Sequence, residues 1–260
     1  MNNDRIQEIL DLMEEARLDY FLISDPQSIA YCTGYYNDPH ERMFVFMISK
    51  HGNHTLFMND LFYLEHDLDV NIVWHKDGQD AIQTIVDEMH FPGRIGIDKN
   101  WASHFLLDLM KKLPDAKYIN ASPCVDLVRM KKDLQEQVLM IESSKINDAV
   151  MEEIIPFIQE GVTEKQLAKK LDELFFNHHS TCYGAIVAFG KNAADPHHEN
   201  DDTPLRKGDC VLIDMGCVYK GYCSDMTRTF FYEGILEEEI KVYEIVKKAN
   251  EAAEAMIKPG

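Results

Sequence analysis

Two aspartates, Asp214 and Asp225, stand where carboxylates could do chemistry. Asp214 is the single charge in an otherwise apolar run, residues 210–219. A carboxylate in the middle of such a run loses hydration, which is costly unless the group is paired or binds a metal. Lys220-Gly221 then offers a two-residue turn, and Asp225 stands in the run that follows. The two residues are candidate metal ligands; surface carboxylates neutralised by a nearby arginine are the alternative.

The length of the turn predicts how the two strands pair. With two turn residues, Asp214 faces Thr227, and both aspartates lie on one face of the hairpin as diagonal neighbours. Gly216 then faces Asp225 and leaves space above the sheet. Diagonal neighbours are about 7–8 Å apart at the backbone, and two such carboxylates can share one ion or bridge two ions about 3.5–4 Å apart. Oxygen ligands favour a fairly hard divalent ion such as Mg²⁺ or Mn²⁺.

A second candidate group is the loop at residues 195–200, with the sequence DPHHEN. Pro196 restricts the backbone of this loop and presents His197. A loop histidine beside a metal site could donate a hydrogen bond to a substrate carbonyl or carboxylate. An exposed polar loop without a catalytic role is the alternative interpretation.

The elements that must position these residues fall into two parts. The first part ends near Val128 and alternates helices with strands, which predicts an α/β layer domain with a mixed sheet. The expected helices cover residues 4–17, 79–89 and 101–112, and the expected strands cover residues 20–23, 43–48, 55–58, 70–74 and 94–97.

The second part opens with two helices. Asp133 with Glu136, and Thr163 with Gln166, have the spacing of capping boxes and predict where the helices start. The first helix is expected to reach about residue 159 with a kink at Pro156, and the second to reach residue 177. Three strands at residues 183–189, 209–219 and 222–232 and a last helix at residues 236–257 are expected to follow.

Charge and composition exclude several classes of protein. The chain has 45 acidic and 26 basic residues, a net charge of -19 that disfavours nucleic-acid binding. Its apolar runs are far shorter than the roughly 20 residues that cross a bilayer, and we expect no secretion signal from its polar start. The six cysteines form no C-x-x-C pair, so buried reduced thiols and a cytoplasmic location are expected. Motifs of serine hydrolases, P-loop proteins, dinucleotide-binding proteins and simple zincins are missing from the sequence.

Four segments together follow the pattern of one known family. They are residues 209–230, which hold both aspartates; residues 188–197, AFGKNAADPH; residues 29–34, IAYCTG; and Arg129-Met-Lys131 with Glu136. They resemble the central motif, the strand-and-histidine motif, the N-terminal helix and turn, and the domain junction of Xaa-Pro dipeptidases (prolidases) and Xaa-Pro aminopeptidases. The likeness spans nearly the whole chain.

The resemblance implies a two-domain architecture. Residues 1–128 would form a smaller N-terminal creatinase-like α/β domain with a mixed sheet, and residues 129–260 the first part of a creatinase-type, or pita-bread, catalytic domain. Lys258-Pro259-Gly260 resembles an internal loop of that domain. We therefore expect a fragment or a naturally shortened form.

The resemblance also implies roles for individual residues. Family members hold two divalent ions, most often Mn²⁺, with Co²⁺ or Zn²⁺ as alternatives. Asp214 would bind one ion, Asp225 would bridge both, and the remaining ligands, one His and two Glu, are expected beyond this sequence. His197 would contact the substrate, and Thr227 would orient the bridging carboxylate.

The function that follows is metal-dependent hydrolysis of the peptide bond preceding proline, through a hydroxide that bridges the two ions. Xaa-Pro dipeptides are expected ahead of longer proline-containing peptides, and a homodimer is expected. One alternative is an inactive fragment or relative that serves as a dimerisation or binding module. A creatinase-like amidinohydrolase that works without metal is disfavoured, because both aspartates of the metal pattern are present.

Overall fold

A computed structural model describes residues 1–90 and 92–259. The chain divides into two compact units, Met1–Lys131 and Lys132–Gly260. The division comes three residues after the expected boundary, because the helix Ser122–Met130 continues up to it. Within the described ranges, no helix combines the length and the apolar character that a bilayer crossing requires.

The first unit is a six-stranded sheet with helices on both faces. Its strands are β1 (Tyr20–Ile23), β2 (Val45–Ser49), β3 (Thr55–Asn59), β4 (Asn71–His75), β5 (Arg94–Ile97) and β6 (Lys117–Asn120). Its helices are α1 (Asn3–Glu15), α2 (Pro26–Thr33), α3 (Ala81–Glu88), α4 (Ser103–Lys112) and α5 (Ser122–Met130). The strand order is β4-β3-β2-β1-β5-β6. Because β1 pairs antiparallel with β2 and parallel with β5, the sheet is mixed, as predicted.

Side chains of the central strands alternate between two apolar cores. Phe21 and Phe46 lie in a core shared with α1, α2 and α5. Tyr20 and Met47 lie in a second core shared with α3 and α4. All four side chains are at most 2% exposed. This period of two is what a strand buried on both faces produces, and it gives the unit three layers.

Three elements of this unit were not fully anticipated: α2, β6 and α5. The family resemblance indicated a helix and turn at residues 29–34, and α2 indeed ends at Thr33 with Gly34, whose φ is 81°, as its C-cap. β6 has four partly exposed residues, and α5 is nine residues long with a proline in its first turn. Both are too short to show a sustained apolar period in the sequence.

The second unit packs two helices on one face of a four-stranded sheet. Its strands are β7 (Thr181–Cys182), β8 (Ile186–Phe189), β9 (Cys210–Tyr219) and β10 (Tyr222–Phe231). Its helices are α6 (Leu134–Ile154), α7 (Glu164–Asn177) and α8 (Glu237–Glu254), with 3-10 turns at Ile155–Phe157 and Gly190–Ala194. β9 is central, because it pairs antiparallel with β10 on one edge and with β7 and β8 on the other.

Both predicted capping boxes are confirmed. The side chain of Asp133 accepts from the Glu136 amide at 2.8 Å, and the Glu136 carboxylate accepts from the Asp133 amide at 2.8 Å. Thr163 and Gln166 exchange the same pair of bonds. The first helix was expected to reach about residue 159 with a kink at Pro156; α6 instead ends at Ile154, and Pro156 lies in the 3-10 turn Ile155–Phe157 that follows.

The prediction of one strand at residues 183–189 is wrong. β7 ends at Cys182 and β8 begins only at Ile186. Gly184, between them, has a φ of 113°, a conformation that interrupts regular strand geometry and that other residues rarely adopt. The apolar composition of the run concealed this break.

The two faces of the β9–β10 hairpin differ in burial. Val211, Ile213 and Met215 are buried in a core with residues of α6 and α7. The opposite face is called here the open face. It comprises Leu212, Asp214, Gly216 and Val218 of β9 and Cys223, Asp225, Thr227 and Thr229 of β10.

Candidate functional site

The hairpin brings the two aspartates to one face in the predicted register. Asp214 pairs with Thr227. Asp225 pairs with Gly216. The pairing derived from a two-residue turn is therefore confirmed, and both carboxylates belong to the open face.

Thr227 contacts Asp214 rather than Asp225. Its Oγ1 donates a hydrogen bond to Oδ1 of Asp214 at 2.7 Å. The family resemblance led us to expect that Thr227 orients the bridging carboxylate, Asp225. Those two residues are two positions apart on one strand, about 6.6 Å along its axis, whereas residues directly opposite have Cβ atoms about 4.5–5.5 Å apart. The hydroxyl therefore reaches the facing carboxylate.

Asp214 is less desolvated than its apolar neighbours in sequence suggest. Its side chain is half-buried, and Asp225 is exposed. Because strand residues alternate between faces, the buried residues Ile213 and Met215 lie on the opposite face from Asp214. The Asp214 carboxylate has therefore lost only part of its hydration.

The space that Gly216 leaves above the sheet is filled by Tyr183. A Cβ at Gly216 would overlap both the hydroxyl of Tyr183 and the carbonyl oxygen of Ser224. The Tyr183 hydroxyl donates to that carbonyl oxygen at 2.9 Å. The phenol ring thus lies against the strand beside Asp225, in the position that we expected to be open.

Tyr183 is a site residue that sequence reasoning missed. Burial, and then the nearby carboxylates of Asp225 and Asp214, raise the pKa of Tyr183 above its usual value. The phenol therefore stays protonated and remains a hydrogen-bond donor near neutral pH. The available signal was the glycine itself, since a glycine inside a strand often marks a close approach of another group.

His197 lies in the loop that follows β8, outside the hairpin. Its side chain is exposed, and its amide donates to Oδ1 of Asp195 at 3.0 Å. Asn200, three residues later, accepts from the Val187 amide at 2.7 Å and donates to the Ala185 carbonyl at 2.7 Å. These bonds hold the end of the loop along β8.

The loop and the hairpin are connected through β8. Ile186 of β8 pairs directly with Asp214 of β9. Because Asn200 bonds to the two residues flanking Ile186, it occupies the edge of β8 that faces away from β9. Neighbouring strands are about 4.8 Å apart, so the Asn200 backbone lies on the order of 10 Å from Asp214. The structure thus joins Asp214, Asp225 and Thr227 in one hairpin and places His197 in a separate, adjoining loop.

A buried glutamate, Glu164, was also missed by sequence reasoning. Its Oε2 lies 2.6 Å from Nε2 of His198 and accepts from the Asp201 amide at 3.1 Å. Its Oε1 accepts from the Phe189 amide at 2.8 Å and from the side chain of Asn192 at 2.9 Å. The hydrogen bond to Glu164 raises the pKa of His198. In the sequence, Glu164 is marked only as the residue that follows the predicted helix cap Thr163.

Two sets of side chains could hold a cation. Glu164, His198 and Asp201 offer ligand atoms within 4.8 Å of one another, but hydrogen bonds already engage both oxygens of Glu164. On the open face, Thr227 engages one oxygen of Asp214, and Asp225 is exposed. Two carboxylates on an accessible face suit a hard divalent ion. The aspartate pair is the better fit.

Comparison with known proteins identifies the family. Sequence models of metallopeptidase family M24 and of the creatinase/prolidase N-terminal domain match residues 138–260 and residues 5–131, respectively. A dipeptidase from Pyrococcus horikoshii OT3 is 31% identical, with a TM-score of 0.87 over 98% of this chain and 73% of that protein. The chain belongs to metallopeptidase family M24. Membership of this family implies a metallopeptidase that uses divalent metal.

Further relatives of this M24 chain agree with that assignment. The structure of a prolidase from Thermococcus sibiricus is 28% identical, with a TM-score of 0.91 over 100% of this chain and 74% of that protein. An uncharacterized peptidase from Staphylococcus saprophyticus is 28% identical over an alignment of 266 positions, which covers 98% of this chain and 74% of the relative. The predicted fold class, a mixed α/β architecture of the creatinase-type (pita-bread) kind, is confirmed.

Proposed function

We propose that this M24 protein functions in the hydrolysis of the peptide bond preceding proline, with Xaa-Pro dipeptides as preferred substrates. The observation that carries the proposal is the placement of Asp214 and Asp225 as diagonal neighbours on the open face. The names of two relatives support this substrate class, since one is a dipeptidase and the other a prolidase. Proline suits a dedicated site, because its tertiary amide has no N–H to donate.

We expect Asp214 and Asp225 to hold divalent ions: two ions, Mn²⁺ by preference, with Co²⁺ or Zn²⁺ as alternatives. Bound divalent ions lower the pKa of water and polarise a carbonyl group. The hydrogen bond from Thr227 fixes Oδ1 of Asp214 and thereby sets the direction of Oδ2. Asp225, which is exposed, can offer both of its oxygens.

His197 is the proposed contact to the substrate. It is exposed at the tip of a loop that the hydrogen bonds of Asn200 hold along β8. From there its ring can donate to the carbonyl oxygen of the scissile bond, where negative charge develops during the reaction. Tyr183 covers Gly216 and so limits how closely a substrate approaches the strand beside Asp225.

Release of proline from Ala-Pro by the protein isolated from its native source, measured with added Mn²⁺, tests the proposal. Asp225→Asn should lose both bound Mn²⁺ and turnover, because it removes a charged ligand. His197→Ala should lose turnover by about 100-fold or more while keeping its Mn²⁺ content. Asp202→Asn is the matched control: Asp202 is an exposed partner of Lys165, and both properties should stay unchanged.

Three outcomes would count against parts of the proposal. Equal rates on Ala-Pro and Ala-Leu would remove the proline specificity. Efficient cleavage of Ala-Pro-Gly would favour an aminopeptidase over a dipeptidase. Loss of Mn²⁺ from His197→Ala, equal to that from Asp225→Asn, would make His197 a ligand or a structural residue.

A dimerisation module is the second candidate function. It is favoured by α8, which has no buried residue. Its exposed apolar side chains include Ile240, Val242, Tyr243, Ile245 and Val246. A chain with this role would form a stable dimer with a second copy in sedimentation experiments and would bind no stoichiometric Mn²⁺. Dimerisation together with Mn²⁺ binding and proline release would instead support a homodimeric enzyme.

Several finer expectations stay predictions. They are the homodimer, the cytoplasmic location, and the assignment of residues 1–128 to an N-terminal domain and of residues 129–260 to part of the catalytic domain. The role of Asp225 in bridging two ions is likewise a prediction, which the stoichiometry of Mn²⁺ binding would check.

A further inference from the structure

Four segments of the second unit meet at one buried carboxylate, Glu164. Glu164 is the first residue of α7, and its side chain is 0% exposed. It bonds to the end of β8 at Phe189, to the following turn at Asn192, and to the next loop at His198 and Asp201. Residues far apart in sequence are thus fixed relative to one another by a single group.

The hydrogen bonds of Glu164 explain why the cluster of Glu164, His198 and Asp201 resembles a cation site. A carboxylate has about four lone-pair positions, and Glu164 has four partners in the part of the chain that the structure describes. A cation would have to displace these partners. The closeness of Glu164, His198 and Asp201 therefore reflects a network that organises the backbone.

The contact with His198 is the strongest link in this network. The two side chains are 2.6 Å apart, and the His198 ring is 13% exposed. Hydrogen bonds between charged partners are short and about twice as strong as neutral ones. A buried carboxylate without such a partner would be costly, so the pair is coupled to the local fold.

The loop of His197 is held on its C-terminal side at two points. His198 is bonded to Glu164, and Asn200 is bonded to both flanks of Ile186 in β8. We propose that Glu164 is a positioning residue that acts through His198 to fix the loop on which His197 is presented. The role of His197 itself rests on the proposed function, whereas the fixing of the loop does not.

Hydrogen exchange followed by mass spectrometry tests the proposal without any need for turnover. The readout is the exchange rate of peptides that cover residues 195–201, compared with peptides from α6. Glu164→Gln and His198→Ala should each raise exchange in the loop by about tenfold or more and leave α6 unchanged, because a charge-assisted bond is lost locally. His198→Ala keeps the bonds of Glu164 to Phe189 and Asn192, so it remains informative if Glu164→Gln does not fold.

Two further variants separate a positioning role from general stabilisation. His198→Gln retains a side-chain N–H at a similar reach and should restore slow exchange in the loop. Glu173→Gln makes the same chemical change as Glu164→Gln at an exposed position of α7, and should have no effect. With Ala-Pro as substrate, His198→Ala should lower kcat by about 10–100-fold with little change in KM, since misplacement of a reacting group affects turnover most.

The proposal is overturned if loop exchange is unchanged in both Glu164→Gln and His198→Ala. It is also overturned if exchange rises equally in the loop and in α6, because Glu164 would then stabilise the whole unit without singling out the loop. His198→Gln exchanging as fast as His198→Ala would break the link through the side-chain bond. If the protein isolated from its native source releases no proline, the proposed function fails, and the exchange results still decide the positioning role.

Discussion

At the scale of single residues, the surroundings of Asp225 depend on the glycine that faces it, Gly216. Gly216 has no Cβ, so the Tyr183 ring can lie against the strand and its hydroxyl can reach the Ser224 carbonyl oxygen. The neighbour of the carboxylate pair is therefore an aromatic surface with a fixed donor. The surroundings of the pair therefore depend on Tyr183, which is 41 positions from Ser224 in the sequence.

Gly216→Ala should destabilise the second unit by about 1–3 kcal/mol, because the new methyl group overlaps packed atoms. Urea denaturation followed by far-UV circular dichroism measures the change. Gly234→Ala is the matched control, since a Cβ there would lie 3.7 Å from the Gly208 Cα, an ordinary packing distance. Adding Tyr183→Ala should restore stability only in part, because the backbone oxygen of Ser224 remains in place. Full restoration, or an equal effect at Gly234, would contradict this account.

At the scale of elements, the β9–β10 hairpin could be predicted from the sequence, whereas the arrangement of β7, β8 and the loop bonded to β8 could not. A two-residue turn fixes register locally, and so the sequence alone places Asp214 opposite Thr227. The capping boxes were readable for the same reason, because their partners are three residues apart. The break between β7 and β8 depends on Gly184 and on bonds from the distant Asn200. Such long-range contacts leave no periodic signal in a single sequence.

The pairing of Glu164 with His198 predicts a pH dependence of stability. Glu164, with Asp201 and Asp195 nearby, raises the pKa of His198 above its unfolded value of about 6.5. The pair therefore contributes fully below about pH 6.5, and its contribution is lost as pH rises through the folded pKa. The urea midpoint of unfolding should fall between about pH 6 and about pH 8, and the fall should be larger for wild type than for His198→Gln, because glutamine cannot titrate. An equal difference in the two proteins would exclude the pair as the source.

At the scale of the whole molecule, each unit has apolar cores of its own. Phe21 and Tyr20 lie in the two cores of the first unit, and Leu171 lies in the core of the second. Both tryptophans, Trp74 and Trp101, belong to the first unit. Tryptophan fluorescence therefore reports on one unit, while the helical circular dichroism signal reports on both.

Leu171→Ala should separate the unfolding of the two units. Leu171 is 0% exposed, so truncation should destabilise its unit by about 2–5 kcal/mol. The transition seen by circular dichroism should shift to lower urea, while the transition seen by tryptophan fluorescence should stay in place. Leu236→Ala, at an exposed leucine, serves as the control and should shift neither signal. A parallel shift of both signals by Leu171→Ala would show that the units unfold as one.

The side chain of Asn200 has a consequence for aggregation. Its amide group accepts from Val187 and donates to Ala185, as a neighbouring strand would do. The exposed edge of a strand can recruit a strand from another molecule and so begin a growing intermolecular sheet. Because Asn200 already bonds the Val187 amide and the Ala185 carbonyl, this edge of β8 is not available to pair with a strand of another molecule. The loop that carries His197 thereby also protects the apolar run of β8 from self-association.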